Sequence, residues 1–392
     1  MSDIRTETMT VNMGPQHPST HGVLRLVLEL DGEVIQSVIP TIGYLHTGIE
    51  KTAEQKKWQQ VIPLVERMDY LGAQSNSLSY ALSVEKLLGL EMPQRVKDIR
   101  VLIAELQRIA SHLIWVGTHG LEIGAVSMLF YAVRERELLL NINELIAGFR
   151  FFPSYIRIGG LREDLPRGFH AQVKEFLDRF PGKIDEFEGL LTKNDVYQRR
   201  TQGVGVITRE HAYAWGLVGP IARAGGSDYD VRKYFPYCGY ETYDFKVPVA
   251  HAGDTYARYL VRVEEIRQSL RIVEQALERL WPGPVITDNH NVALPPKEEV
   301  YTEMESLIWH FKLIMEGMKV PAGEKYGYTE AANGELGYYI VSDGGGHPYR
   351  IKVRPPCFAI FQAFPHILEG HMVADTVAIM SSLNVIAGEL DR

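Results

Sequence analysis

Leu24, Leu26, Leu28 and Leu30 fall on one face of an extended segment, with Arg25 and Glu29 on the other. This period-two pattern predicts a half-buried strand. Asp31-Gly32 follows as a two-residue hairpin turn signal, and Glu33 to Ile39 reads as the return strand. Pairing Leu30 with Glu33 would set His21 opposite Ile42, at one end of the hairpin. After Glu50 the period becomes helical. Residues 67–88 form a first candidate helix. Pro93 opens a second, with Val96, Ile99, Ile103, Leu106, Ala110 and Leu113 at helical spacing. Gly124 to Phe149 forms a third, on which Arg134-Glu135-Arg136-Glu137 reads as a salt-bridged face. Further helices are expected near 168–191, 254–280 and 297–316. Pro153 to Gly168 and Trp281 to Pro296 are connectors rich in turn formers. Gly337 to Val341 and Tyr349 to Arg354 read as strands. Arg350, Lys352 and Arg354 share a face there, solvated by default and otherwise docked on a partner. Amphipathic helices without βαβ alternation argue for a helical bundle core and against a doubly wound sheet.

The 392 residues are 45% hydrophobic, ample for a large core, and the net charge is −8 without long charge runs. Nucleic acid is therefore not the expected partner. No apolar stretch reaches bilayer-spanning length. The segment Met1 to Glu7 resembles neither a signal peptide nor an Arg-rich transit peptide, so the chain is expected to work where it is made. The two cysteines, Cys238 and Cys357, form no CxxC pair. A disulfide framework, a four-cysteine zinc site and a self-contained iron–sulfur cluster are all disfavoured, and both thiols are expected to be small buried apolar groups.

Candidate chemistry begins at Gly14-Pro15-Gln16-His17-Pro18-Ser19-Thr20-His21-Gly22. The prolines restrict their own torsions and bias their predecessors toward extended conformations. They would hold two histidines, the side chains best suited to proton transfer near neutral pH, in a stiff loop beside the sheet. A turn with two solvated histidines remains the plain alternative. Gly203-Val204-Gly205-Val206 and the Gly344 triplet match neither dinucleotide nor P-loop fingerprints, and there is no HExxH or GxSxG. Redox or hydrolytic chemistry would need help from another chain. On periodicity alone, Tyr70 at the start of the first helix reads as a core tyrosine. Glu122, between Gly120 and Gly124 where the second helix ends, reads as a surface charge; if buried, it needs a partner.

Several motifs occur together and in order. They are Gly14 to Gly22, Gly43-Tyr44-Leu45-His46-Thr47-Gly48-Ile49-Glu50-Lys51, Arg67 to Tyr70, Arg134 to Glu137, Tyr155 to Gly160, Gly334-Glu335-Leu336-Gly337 and Gly388-Glu389-Leu390-Asp391-Arg392. Over essentially its whole length the chain resembles the large peripheral-arm subunits of respiratory complex I, the proton-translocating NADH:quinone oxidoreductase. That family is related to the large subunits of nickel–iron hydrogenases. The resemblance implies an α+β fold, a central α-helical bundle flanked by N- and C-terminal β elements. It divides the chain into 1–50 with the hairpin and quinone-site loops, 51–330 with the bundle, and 331–392 with a C-terminal hairpin and buried end.

The resemblance also implies a role in an enzyme whose isolated subunit is inactive. His21 and Tyr70 match the family residues that contact the quinone headgroup. Glu122 falls where many members pair an aspartate with that histidine, and is one methylene longer. Phe152 stands where many members carry a histidine near the terminal cluster. No cofactor is expected on this chain alone. Quinone is the substrate, and the 4Fe-4S cluster belongs to a neighbouring small iron–sulfur subunit. A membrane-arm anchor subunit is the other expected partner, with the assembly on the cytoplasmic face of the bacterial inner membrane. A hydrogenase role is disfavoured, because Asp69 to Gly72 and Leu390 to Arg392 lack the required cysteine pairs. A non-catalytic scaffold in a related complex fed by ferredoxin or another donor is the remaining alternative.

Overall fold

The computed structural model describes residues 8–15 and 23–392. A three-stranded antiparallel sheet opens the chain, with β1 (Met9–Met13), β2 (Arg25–Asp31) and β3 (Val34–Thr41) side by side in that order. The four expected leucines are all buried. They pack with Ile35 and Val38 against Phe361, Phe364 and Leu383 near the C-terminus. The hairpin register differs from the expected one: Asp31 pairs with Val34 and Leu30 with Ile35. Gly32 has φ +63°, so it takes the first central position of the turn, where a II′ hairpin wants glycine. The loop is therefore Gly32-Glu33. A further irregularity between Glu29 and Leu30 brings Arg25 opposite Thr41. β1 gives no alternating signal because it is a largely exposed edge strand, held by main-chain pairing from Met9–Leu30 to Met13–Leu26.

The bundle follows from α1 (Ile49–Ala53) through α2 (Ala73–Leu88), α3 (Gln94–Glu122), α4 (Val126–Ala147), α5 (Phe169–Leu190) and α6 (Thr255–Glu278). Pro93 is the N-cap of α3, and all six of its expected apolar positions are buried. The first helix starts later than expected, because Arg67 to Gly72 form a turn before α2. The segment 297–316 is two helices, Lys297–Thr302 and α7 (Met304–Met315), separated by an extended Glu303. α3 is the axis of the bundle, in contact with α2, α4 and α6.

A second antiparallel sheet contains β4 (Gly323–Ala331), β5 (Gly334–Ser342) and β6 (Arg350–Arg354) in that order. β5 and β6 are the two expected strands. β4 joins them through a turn at Ala332 and Asn333, and the hairpin packs on α2. The chain closes with α8 (Pro356–Leu368), α9 (Val373–Leu383) and α10 (Ala387–Asp391). The basic face of β6 is half-exposed, and two of its cations pair within the chain. Arg350 bonds Glu54 at 3.0 Å, and Lys352 bonds Glu50 at 3.3 Å. The expected α+β architecture, helical at its centre with small sheets toward both ends, is borne out. No helix among the described residues is long and apolar enough to cross a membrane.

Candidate functional site around the Arg67–Gly72 turn

The turn that carries Tyr70 is fixed from several sides. One Asp69 carboxylate oxygen accepts the backbone N–H groups of Leu71 and Gly72, both at 3.0 Å. Asn76 donates to the Asp69 carbonyl at 3.1 Å, and Gln107 on α3 donates to the Leu71 carbonyl. Gly72 has no room for a side chain, since a Cβ there would lie 2.5 Å from the Asp69 carboxylate. Just upstream, buried Glu66 accepts Ser77 Oγ at 2.8 Å, Ser154 N at 2.9 Å and Ser154 Oγ at 2.8 Å. That carboxylate staples the turn to the segment after α4. Arg67 lies over the Phe152 ring, 4.9 Å from its centroid.

Tyr70 itself is half-buried. Burial, then the charge of Asp69 and then Cys357, push its hydroxyl up to about 12. At neutral pH it is a protonated phenol, able to donate a hydrogen bond. Glu122 is the last residue of α3 and is also half-buried. Helical rise places it about 22 Å along the axis from Gln107. The neighbouring end of α3 is locked to α9, where Trp115 donates to the Ser381 carbonyl at 2.7 Å. His21 lies outside the described residues. Among the described residues, β1 and β2 are paired, and Gly14 lies so close to β2 that a Cβ there would meet the Leu24 carbonyl at 2.1 Å. β3 ends beside the start of β2, so Ile42 to Glu50 leaves the sheet at the same end.

That second loop is clamped by the C-terminus. Asp391 accepts Gly43 N at 2.8 Å and Leu45 N at 2.7 Å, and His46 Nδ1 donates to the Asp391 carbonyl at 2.6 Å. Arg392 reaches Glu50 at 3.3 Å and lies over the Phe358 ring. α10 also touches the Tyr70 turn, where a Cβ on Gly388 would come within 2.7 Å of the Met68 carbonyl. The turn, the loop and the C-terminus are one packed unit.

Deeper in the bundle lies an ionic cluster with no counterpart in the sequence reading. Arg223 pairs with Glu265, with Glu330 at 2.8 Å and with Asp230 at 3.4 Å. Arg232 joins Asp230 at 2.7 Å to Glu105 at 3.1 Å, and Arg108 also reaches Glu105. His112 Nε2 donates to Glu265 at 2.8 Å. All these side chains are buried. Burial alone would raise the Glu105 carboxyl, but Arg108 and Arg232 reverse this and hold it at about 2. Arg223 and His112 do the same for Glu265, also at about 2. Burial lowers His112, only partly opposed by Glu265, so its imidazole is neutral. The signal was present in α3, where Glu105, Arg108 and His112 fall three and four residues apart on a helix buried on nearly every side. Among the described residues no group of three or more His, Cys, Asp or Glu could hold a metal ion.

The motif face of α4 is only partly solvated. Glu135 is buried, bridged by Arg134 at 2.6 Å and Arg179 at 3.1 Å, while Glu137 pairs with Arg150 at the surface.

Comparison with known proteins agrees with the resemblance read from the motifs. The family described as "Respiratory-chain NADH dehydrogenase, 49 Kd subunit" matches residues 122–392. An NADH-quinone oxidoreductase subunit of Geotalea uraniireducens is 53% identical over 387 residues, 99% of each chain. The same subunit of Geobacter sulfurreducens is 54% identical over 99% of each chain. Its counterpart in Chloroflexus aurantiacus is 56% identical over 391 residues, covering 99% of this chain and 95% of that one. The chain therefore belongs to the 49 kDa subunit family of respiratory-chain NADH dehydrogenases and is part of an oxidoreductase complex of the complex I type.

Proposed function

We propose that this subunit forms part of the quinone-headgroup cavity of a proton-translocating NADH:quinone oxidoreductase. The observation that carries the reading is Tyr70, a neutral phenol on a turn held by Asp69, Glu66 and Gln107, with Gly72 packed against the Asp69 carboxylate. Its hydroxyl donates to one quinone oxygen. His21 donates to the other, with Glu122 holding the imidazolium. Reduction takes two electrons and two protons. The electrons come from the 4Fe-4S cluster of the small iron–sulfur subunit, and this chain supplies binding, orientation and the protons at the two oxygens. Loss of the His21 proton changes the charge beside Glu122, and that change is the signal passed to the membrane-arm anchor subunit for proton pumping. The chain itself carries no cofactor. It sits on the cytoplasmic face of the bacterial inner membrane through its partners, with 1–50 supplying cavity loops, 51–330 the bundle and 331–392 the C-terminal clamp.

The test compares donor:quinone with donor:ferricyanide turnover in the same membranes. Tyr70→Phe and His21→Ala should assemble and keep ferricyanide reduction. Each should lose quinone turnover by about a hundredfold, the cost of one well-placed donor to a developing charge. Glu122→Gln should show a milder defect, since it keeps a hydrogen-bonding group. Wild-type quinone turnover in both severe variants would leave this chain a scaffold.

A further inference from the structure

Two buried acidic side chains lie on the elements that pack together at the Tyr70 turn, and the headgroup mechanism uses neither. Asp69, in the turn, and Glu389, on α10, are both buried, at 2% and 1% exposure. Glycines on both elements permit the approach, Gly72 against the Asp69 carboxylate and Gly388 against the Met68 carbonyl. Asp69 faces Tyr70, Glu389 faces the Cys357 thiol on α8 and Arg354 on β6, and both carboxyls face Tyr338 on β5, beside which lie Tyr80 and, farther off, Glu50. Among the described residues the cation that acts on Glu389 is Arg354, and it is occupied elsewhere, donating to the Glu335 carbonyl at 2.6 Å and the Gly216 carbonyl at 3.1 Å; Lys352 and Arg392 are taken up by Glu50. One Glu389 carboxylate oxygen and the Tyr338 hydroxyl are buried with no hydrogen-bond partner among the described residues. The Cys357 thiol is kept protonated chiefly by burial.

Two carboxyls in such a site cannot both ionise without a compensating cation. We infer that Asp69 and Glu389 hold a proton between them and return it to Tyr70 after Tyr70 has protonated the quinone. The inference rests on the headgroup role proposed for Tyr70. In the step, the Tyr70 O–H bond breaks as an O–H bond forms on the reduced quinone oxygen. A carboxyl O–H of the pair then breaks as the Tyr70 O–H re-forms. The electrons are those already delivered to the quinone, and the pair is left with one more negative charge, to be refilled from solvent. Electrostatics agree with the geometry. Burial, then the charge of Asp69, raise Glu389 to about 8 against the opposing pull of the Cys357 N–H and thiol. Burial raises Asp69 to about 6 despite its two backbone N–H bonds. A carboxylic acid that stays protonated to near neutral pH is matched to proton delivery there.

The test uses the assembled complex in membranes. Glu389→Gln has nearly the same shape and carries no transferable proton. It should keep ferricyanide turnover and the quinone KM, and lower quinone kcat about tenfold. Wild-type kcat should fall as pH rises between about 6 and 8, as the pair empties, and this limb should vanish in Glu389→Gln. Asp69→Asn should weaken the same limb. An unchanged kcat and pH profile in Glu389→Gln overturns the inference. If Tyr70→Phe is impaired at the same time, the headgroup role stands and only the proton store falls; if Tyr70→Phe is also normal, both fall. Should Glu389→Gln not assemble, infrared difference spectra of the wild-type complex decide. A protonated-carboxyl band that titrates between about pH 6 and 8 supports the pair, and its absence overturns it.

Discussion

Tyr70, the proposed headgroup donor, differs little in its setting from a core tyrosine. Its ring is half-buried like many others, but it follows a buried acid within a turn whose Gly72 packs against that acid. Phe152 is the complementary case, a residue whose chemistry is missing. It lies under Arg67 at 4.9 Å, where the family resemblance puts a histidine near the terminal cluster. Phenylalanine cannot take up a proton when that cluster is reduced. The midpoint potential of the cluster should therefore vary weakly with pH in this complex. Phe152→His should strengthen the dependence, with the imidazole titrating low because Arg67 opposes its charge. A redox titration across neutral pH checks this, and a steep slope that Phe152→His leaves unchanged would assign the coupling to another group. Tyr70 and Glu122 are legible as candidates only through motif order. Asp69 and Glu389 are not legible as a pair, since 320 positions separate them and nothing local in Met68-Asp69-Tyr70 or Gly388-Glu389-Leu390 says that they meet.

Among the elements, those with strong periodicity are legible in the sequence and those held by tertiary contact are not. α3, α5 and α6 lie within a residue or two of their expected spans because an apolar stripe and a cap, Pro93, Gly168 or Asp254, coincide. β1 and β4 escape because their signal is pairing with another strand, and α8 and α9 because they are apolar on most sides. The hairpin register differs by two because Gly32 takes the first central position of the turn and not the second. α10 is five residues long and would not form alone. Its order comes from what it clamps, which makes Asp391 its most sensitive position. Asp391→Ala leaves Gly43 N and Leu45 N without their acceptor; both residues are exposed and water can replace it, so the cost should be about 1 kcal/mol, the net worth of a typical hydrogen bond. Denaturant unfolding should show this as a lower midpoint with an unchanged m-value. Asp391→Asn keeps one acceptor oxygen and should lose about half as much. Equal stability in both variants would mean that the loop finds other acceptors.

For the molecule as a whole, the buried charges divide into two sets that respond to pH in opposite directions. Glu105 and Glu265 are held at about 2, below their ordinary 4.5, so their contribution is present above about 4.5 and lost as pH falls through 2. Asp69 and Glu389 are raised to about 6 and about 8. Their neutral forms suit the fold, so that contribution is full below their ordinary values and lost as pH rises through 6 and 8. Unfolding free energy should therefore decline gently from about pH 5 to 8, and Asp69→Asn with Glu389→Gln should flatten the decline. The ionic cluster answers a different perturbation. Arg223 holds three carboxylates at the junction of α6, β4 and the 219–234 segment, with no exposure on either side of any bond. Arg223→Met keeps the bulk of the stem and strands that charge, which should cost about 3–5 kcal/mol, as for other broken buried pairs. Arg271 and Asp244 are 46% and 74% exposed, and Arg271→Met there should cost no more than about 1 kcal/mol. The contrast is measured by denaturant unfolding of the two variants side by side, at pH 7 and again near pH 4. Acid should narrow the gap, because protonating the stranded carboxylates relieves the Arg223→Met variant and leaves Arg271→Met nearly unmoved. A gap that is small at pH 7, or that does not narrow in acid, would mean that water or a rearranged side chain takes over the role of Arg223, and that the cluster is not the electrostatic keystone of the bundle.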